Sequence, residues 1–251
     1  MRRVAALALL LAAAGCGGDG SGGERPSLTV SAASSLKTPL TEYGDGFARA
    51  RVRLSFAGSD ELAAQIRQGA RPDVFASANT NLPAQLHREG KVLAPVVFAG
   101  NRLVLAVPAA GGSVRSLGDL ERPGVRIAAG SPAVPVGAYT REVLGRLPAA
   151  RGRAIERNIR SEEPDVAGVV GKLTQGAVDA GFVYATDVAA AGDRLKAVEL
   201  PDALRPEVAY AVAVVRRARQ PVLARAFVDG LLEGRGAEAL RRAGFEPPPT
   251  V

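Results

Sequence analysis

The chain has 251 residues, among them 29 Gly, 17 Pro, 7 Phe, 4 Tyr and no Trp; 47% of it is hydrophobic and 23% charged. That balance belongs to a folded chain with room for one large domain or two modest ones, and it excludes intrinsic disorder. One Cys and one His exclude an intrachain disulfide framework and a Cys/His zinc cluster, and a formal charge of +7 without any basic–aromatic run gives no case for nucleic acid.

The N-terminus reads as an export signal. Met1-Arg2-Arg3 is a short basic segment, and Val4 to Ala14 is an apolar run too short to span a bilayer but suited to a signal peptide. It ends in Ala13-Ala14-Gly15-Cys16, after which the composition turns to Gly17-Gly18-Asp19-Gly20-Ser21-Gly22-Gly23. This resembles a bacterial lipoprotein signal over residues 1–16, with Cys16 as the lipidated residue, although Ala13 stands where Leu is usual. Residues 17–26 then form a flexible tether with a root-mean-square reach of roughly 15–20 Å. The alternative is an ordinary secreted protein with a stray Cys.

From residue 27 onward strands and helices alternate. Ser27–Ser31 is a strand, followed by Ala32-Ala33-Ser34-Ser35 and a helical pattern to about Ala50. Val52–Phe56 is the next strand, and Ala57-Gly58-Ser59 opens a helix through Gln68. A third strand at Asp73–Ser77 precedes a helix over Leu82–Glu89, which carries His87 on its polar side. That order argues an α/β fold with parallel strands and helices on both faces. Arg102–Val107 is an apolar strand, Arg126–Ala129 another, and helices follow over Gly137–Leu147 and Val166–Gln175. Gly168-Val169-Val170-Gly171-Lys172-Leu173 superficially resembles a phosphate loop but lacks its first Gly and its Ser/Thr, so it is rejected. Strands at Ala180–Tyr184 and Val208–Val215 and helices over Pro221–Leu232 and Ala237–Arg242 complete the body, and Pro247-Pro248-Pro249 reads as a loose end. The apolar strands near 103–107 and 208–215 mark where the chain crosses between two lobes and returns.

The chemistry lies at the junctions. Ser35 and Ser59 each stand between a strand and a helix, and Pro135-Val136-Gly137 and Asp165-Val166-Ala167 supply two more junctions. A helix start offers unpaired N–H groups and the positive end of its dipole, and a Ser adds a hydroxyl donor, so such junctions can cradle an oxyanion without a formal positive charge. Taken singly each has a plain structural reading: Ser is a preferred helix cap, Tyr184 a core aromatic, and Val136 and Val166 ordinary apolar residues. No Gly-x-Ser-x-Gly elbow accompanies His87, so nucleophilic catalysis has few candidates.

In combination, Ala32-Ala33-Ser34-Ser35-Leu36, Ser55-Phe56-Ala57-Gly58-Ser59, Pro72-Asp73-Val74-Phe75-Ala76-Ser77-Ala78, Val134-Pro135-Val136-Gly137, Gly181-Phe182-Val183-Tyr184-Ala185-Thr186-Asp187 and Tyr210-Ala211-Val212-Ala213-Val214 resemble the periplasmic molybdate-binding proteins, over about residues 27 to 248. The resemblance implies a two-lobed periplasmic-binding-protein-like fold of type II, each lobe a mixed, mostly parallel sheet flanked by helices. Lobe I would comprise 27–102 and 210–251, and lobe II 103–209. It also implies a monomeric, extracytoplasmic, lipid-anchored receptor that captures molybdate or tungstate and serves the permease and ATPase of an ABC importer, with no enzymatic activity, resident cofactor or nucleic-acid partner. Any metal would arrive only as the oxyanion. Carried over by position, Ser35 and Ser59 would donate hydroxyl and backbone N–H bonds, Val136 and Val166 backbone N–H bonds, and Tyr184 its phenol. Val136 stands where Ala is common, Gly58 where Ser is frequent, and Asp60 where a neutral residue is common. The alternatives are the same scaffold tuned to sulfate or phosphate, and an enzyme or regulatory effector domain on this fold.

Overall fold

A computed structural model of the chain describes residues 25–110 and 112–249. The signal segment, Cys16 and the tether up to residue 24 lie outside the described residues. Two five-stranded sheets organise the body. The first runs in the order β2-β1-β3-β10-β4, from β1 (Ser27–Ala33), β2 (Arg51–Ala57), β3 (Val74–Ser77), β4 (Val96–Asn101) and β10 (Val208–Val214). The second runs β7-β6-β8-β5-β9, from β5 (Leu103–Pro108), β6 (Ile127–Gly130), β7 (Ile159–Glu163), β8 (Ala180–Tyr184) and β9 (Leu195–Val198). In each sheet the first three strands are mutually parallel and the last two pair antiparallel. The sheets are thus mixed, with two parallel and two antiparallel pairings apiece.

The helices are α1 (Lys37–Asp45), α2 (Ser59–Arg67), α3 (Asn81–Arg88), α4 (Pro135–Gly145), α5 (Ala149–Glu156), α6 (Val166–Thr174), α7 (Ala185–Ala191), α8 (Pro221–Leu232) and α9 (Arg235–Arg242). They cover the central strands, so β3, β6, β8 and β10 are buried along their whole length and consist largely of Val, Ala and aromatic residues. The rim strands β2 and β7 alternate exposed and half-buried residues, with Arg51, Arg53 and Arg160 among the outward ones that discourage edge pairing. Buried Asp73 ties lobe I together: its carboxylate accepts from Thr29 N, Thr29 Oγ1 and Gln220 N, each at 2.8 Å. Three donors without a cation satisfy a buried charge.

The chain passes from lobe I to lobe II at Arg102, between β4 and β5, and returns between β9 and β10. β10 enters the lobe I sheet at Val208. Several elements differ from the sequence reading. α1 stops at Asp45 rather than near Ala50, because Gly46 ends the amphipathic stretch and Phe47 turns in against Tyr43 and Phe227. Arg102 lies between two strands, and β4, α5, β7, α7 and β9 are additional. The C-terminal segment is pinned before its prolines: Gly100 and Glu246 exchange backbone hydrogen bonds at 2.8 and 3.0 Å.

Candidate functional site

The carboxyl ends of the parallel strands β1, β2, β6, β7 and β8 face one cleft between the lobes, where ligands bind in open α/β sheets. The cleft holds about 220 Å³ of free space, part of it continuous with solvent, and Ser35, Ser59, Val136, Val166 and Tyr184 all line it. A larger groove of about 990 Å³ runs beside α7 and α9, but only Ser35 of these five reaches it.

Neither serine is a helix cap. Ser35 lies in a short 3-10 turn, Ser34–Leu36, between β1 and α1, and its hydroxyl lies 3.0 Å from Tyr210 Oη. Ser59 is the first residue of α2, with Gly58 in the cap position, and its Oγ accepts the N–H of Ala78 at 3.1 Å. With a lone pair of Ser59 engaged from the protein side, its proton is left to point into the cleft. Both residues are buried, and neither hydroxyl is bonded to a histidine or a carboxylate. His87 is exposed on α3, with Nδ1 3.2 Å from Val92 O, so no general base attends either serine.

Lobe II contributes two helix starts. In α4 the cap position is Val134 and Pro135 opens the helix, which leaves Val136 in the first turn, where N–H groups have no intrahelical partner. The larger side chain of Val136 packs away over Gly130, where any Cβ would lie 2.6 Å from its Cγ1. Val166 opens α6 behind Asp165, whose Oδ1 accepts Gly168 N at 2.9 Å. Among the described residues Asp165 is the only acid lining the cleft and no Lys or Arg lines it, and the helix dipole favours a carboxylate at the cap. Asp60 does not turn its carboxylate wholly to solvent: Oδ1 is buried without a hydrogen-bond partner.

Tyr184 ends β8 and is 1% exposed, and its hydroxyl has no hydrogen-bond partner. Burial raises its pKa well above 10, and the neighbouring Tyr210, Tyr139 and Asp187 act in the same direction. The phenol therefore remains a proton donor at any ordinary pH. Beneath it, Asp187 accepts the Tyr184 N–H at 3.0 Å, and burial pushes that carboxyl up to about 7. The ring packs edge-on against Tyr139 at 6.5 Å and Tyr210 at 5.7 Å, so an aromatic cluster spans the two lobes behind the cleft.

The lobes meet at the cleft. A Cβ on Gly58 would lie 2.5 Å from the carbonyl oxygen of Pro164, just before α6. The result is a small, donor-rich site lined by three hydroxyls and three helix starts and, among the described residues, by no Lys or Arg. It suits a compact anion that offers only acceptors. Sequence reasoning missed the groups behind it: Tyr210 and Asn101 in strands, Ala78 in the turn after β3 and Tyr139 in α4, none of which carries a local signal.

The model of a family described as bacterial extracellular solute-binding proteins matches residues 28–246. The molybdate-binding protein ModA of Mycobacterium tuberculosis is 39% identical over 229 residues, which cover 88% of this chain and 85% of that protein. The molybdate-binding protein ModA of Escherichia coli is 30% identical over 232 residues, 87% and 88% of the two chains. The solved periplasmic molybdate-binding protein of Azotobacter vinelandii superposes with a TM-score of 0.78 at 23% identity, over 88% of this chain and all of that one, and shares its fold.

Proposed function

Because the chain belongs to the family of bacterial extracellular solute-binding proteins, binding proteins and not enzymes, we propose that it captures molybdate or tungstate between its lobes and delivers it to an ABC importer. The observation that carries this reading is the Tyr184 hydroxyl, protonated, buried and unpartnered, at a cleft whose other polar contributions are serine hydroxyls, helix starts and the Asp165 carboxylate, which Gly168 N already engages. A tetrahedral oxyanion in its fully deprotonated form is acceptor on every side, so each of these groups gains a partner when it binds. Neutral donors and helix dipoles spread the charge without burying a counter-ion, whose desolvation would offset much of the attraction.

The division of donors between lobes explains capture. Ser35 and Ser59 belong to lobe I, and Val136, Val166 and Tyr184 to lobe II, so the full shell exists only when the lobes are together. An anion bound across them stabilises the closed form by its difference in affinity for the two arrangements. Fixed donors on closed lobes also set a radius, which favours the larger tetrahedral oxyanions over sulfate. The signal-like N-terminus and Cys16 support placement outside the cytoplasm on a lipid anchor, and the molybdate-binding relatives support a permease and its ATPase as the partners.

Tyr184→Phe tests the reading. Molybdate at 100 times its Kd should stabilise the wild-type chain by about 2.7 kcal/mol, read as a raised Tm. At that same concentration the phenylalanine variant should show a smaller rise, with an unliganded Tm no lower than wild type, because the hydroxyl it removes has no partner in the free protein. An unchanged molybdate effect in the variant, or a rise with sulfate or phosphate and none with molybdate, contradicts the proposal.

A further inference from the structure

We infer that Tyr210 is a positioning residue that makes Ser35 a hydrogen-bond donor to the bound anion. The inference rests on the oxyanion reading of the cleft and concerns a residue outside the cleft lining. A hydroxyl can donate or accept, and a serine that presents its lone pairs would repel an anion. The direction at Ser35 is set from behind, starting at one backbone amide. Arg102 N–H donates to Asn101 Oδ1 at 2.8 Å, which fixes the orientation of that side-chain amide. Its Nδ2 therefore faces inward, donating to Thr186 Oγ1 at 2.9 Å and reaching Tyr210 Oη at 3.5 Å.

The Tyr210 hydroxyl lies 3.0 Å from Ser35 Oγ and 3.5 Å from Asn101 Nδ2, with the Tyr184 hydroxyl as a further neighbour. An amide nitrogen accepts nothing, so Ser35 Oγ, at 3.0 Å, is the nearest acceptor open to the Tyr210 proton. Tyr210 is fully buried and its phenol is held protonated, chiefly by burial. Ser35 thus receives from Tyr210 and keeps its own proton for the cleft. Ser59 has the same arrangement in simpler form, with the Ala78 amide in place of Tyr210. Both lobe I hydroxyls are consequently polarised outward before any ligand arrives, which lowers the reorganisation needed on binding. Thr186 stands in the first turn of α7 in lobe II, so the chain of bonds also crosses the lobe boundary.

A double-mutant cycle tests the coupling. Tyr210→Phe keeps the ring among Phe98, Tyr184 and Phe245, and should weaken molybdate binding about three- to tenfold, the size of one net hydrogen bond. In a Ser35→Ala background the same change should have no further effect, since no hydroxyl remains to be oriented. Asn101→Ala removes the group that sets the direction and should show the same dependence on Ser35, which keeps the test available if Tyr210→Phe folds poorly. An equal loss in both backgrounds means a structural role and overturns the inference. If the wild-type chain binds sulfate or phosphate in place of molybdate, the cargo assignment fails while the cycle, run with that anion, still judges Tyr210. If it binds none of the three, both fall.

Discussion

Gly58→Ala is expected to weaken molybdate binding about five- to a hundredfold while leaving the unliganded chain folded. A Cβ at this position would lie 2.5 Å from the Pro164 carbonyl, and that carbonyl is backbone immediately before the helix that presents Val166. Relief requires the lobes to part by about 1 Å at this point. Lobe II donors then move out of hydrogen-bond range of an anion seated on lobe I, because such bonds weaken steeply beyond about 3.2 Å. Overpacking of this kind costs typically about 1–3 kcal/mol, here charged to the closed form and therefore to affinity. Titration of the variant measures it, and the unliganded Tm serves as control. Alanine is also a poorer helix cap than glycine, which lowers the unliganded stability by at most about 1 kcal/mol. Gly58→Ser carries the same Cβ with a good capping hydroxyl, so it should bind as weakly and recover that stability. Wild-type affinity in both variants would mean that the contact at Pro164 plays no part in closure.

Ser59→Ala should affect both affinity and stability. Its hydroxyl is placed to donate into the cleft, and loss of that donor leaves an acceptor of the anion unpaired inside a closed site. The expected cost is about 1–3 kcal/mol of binding, or roughly five- to a hundredfold in Kd. The same oxygen accepts the buried Ala78 N–H, so the free protein should lose about 1–2 kcal/mol as well. Calorimetric titration and thermal unfolding separate the two. A stability loss with wild-type affinity would make Ser59 only the partner of Ala78.

Much of the architecture is legible along the chain because the central strands are short apolar runs bounded by helix starts. The elements that escape are those whose residues do not advertise them. β7 is Ile-Arg-Ser-Glu-Glu, a rim strand half exposed to solvent, and β9 is only four residues long at the other rim. β4 and β5 form nearly one apolar stretch, and only the fold shows that Arg102 divides it between two sheets. The junction residues could be picked out because strand-end and helix-start chemistry is local. Their partners could not: Tyr210 sits inside the apolar strand β10, and the meeting of Gly58 with Pro164 depends on how two lobes close. The plain reading of Ser35 and Ser59 as helix caps could likewise be set aside only in the fold, since the groups that engage their hydroxyls come from β10 and from the turn after β3.

Isothermal titration of the purified chain with molybdate, tungstate, sulfate and phosphate tests the central claim most directly. A shell of neutral donors fixed by two closed lobes predicts saturable one-to-one binding of molybdate and tungstate, with sulfate and phosphate silent at the same concentrations. Heat from sulfate or phosphate, with none from the two larger anions, would contradict it.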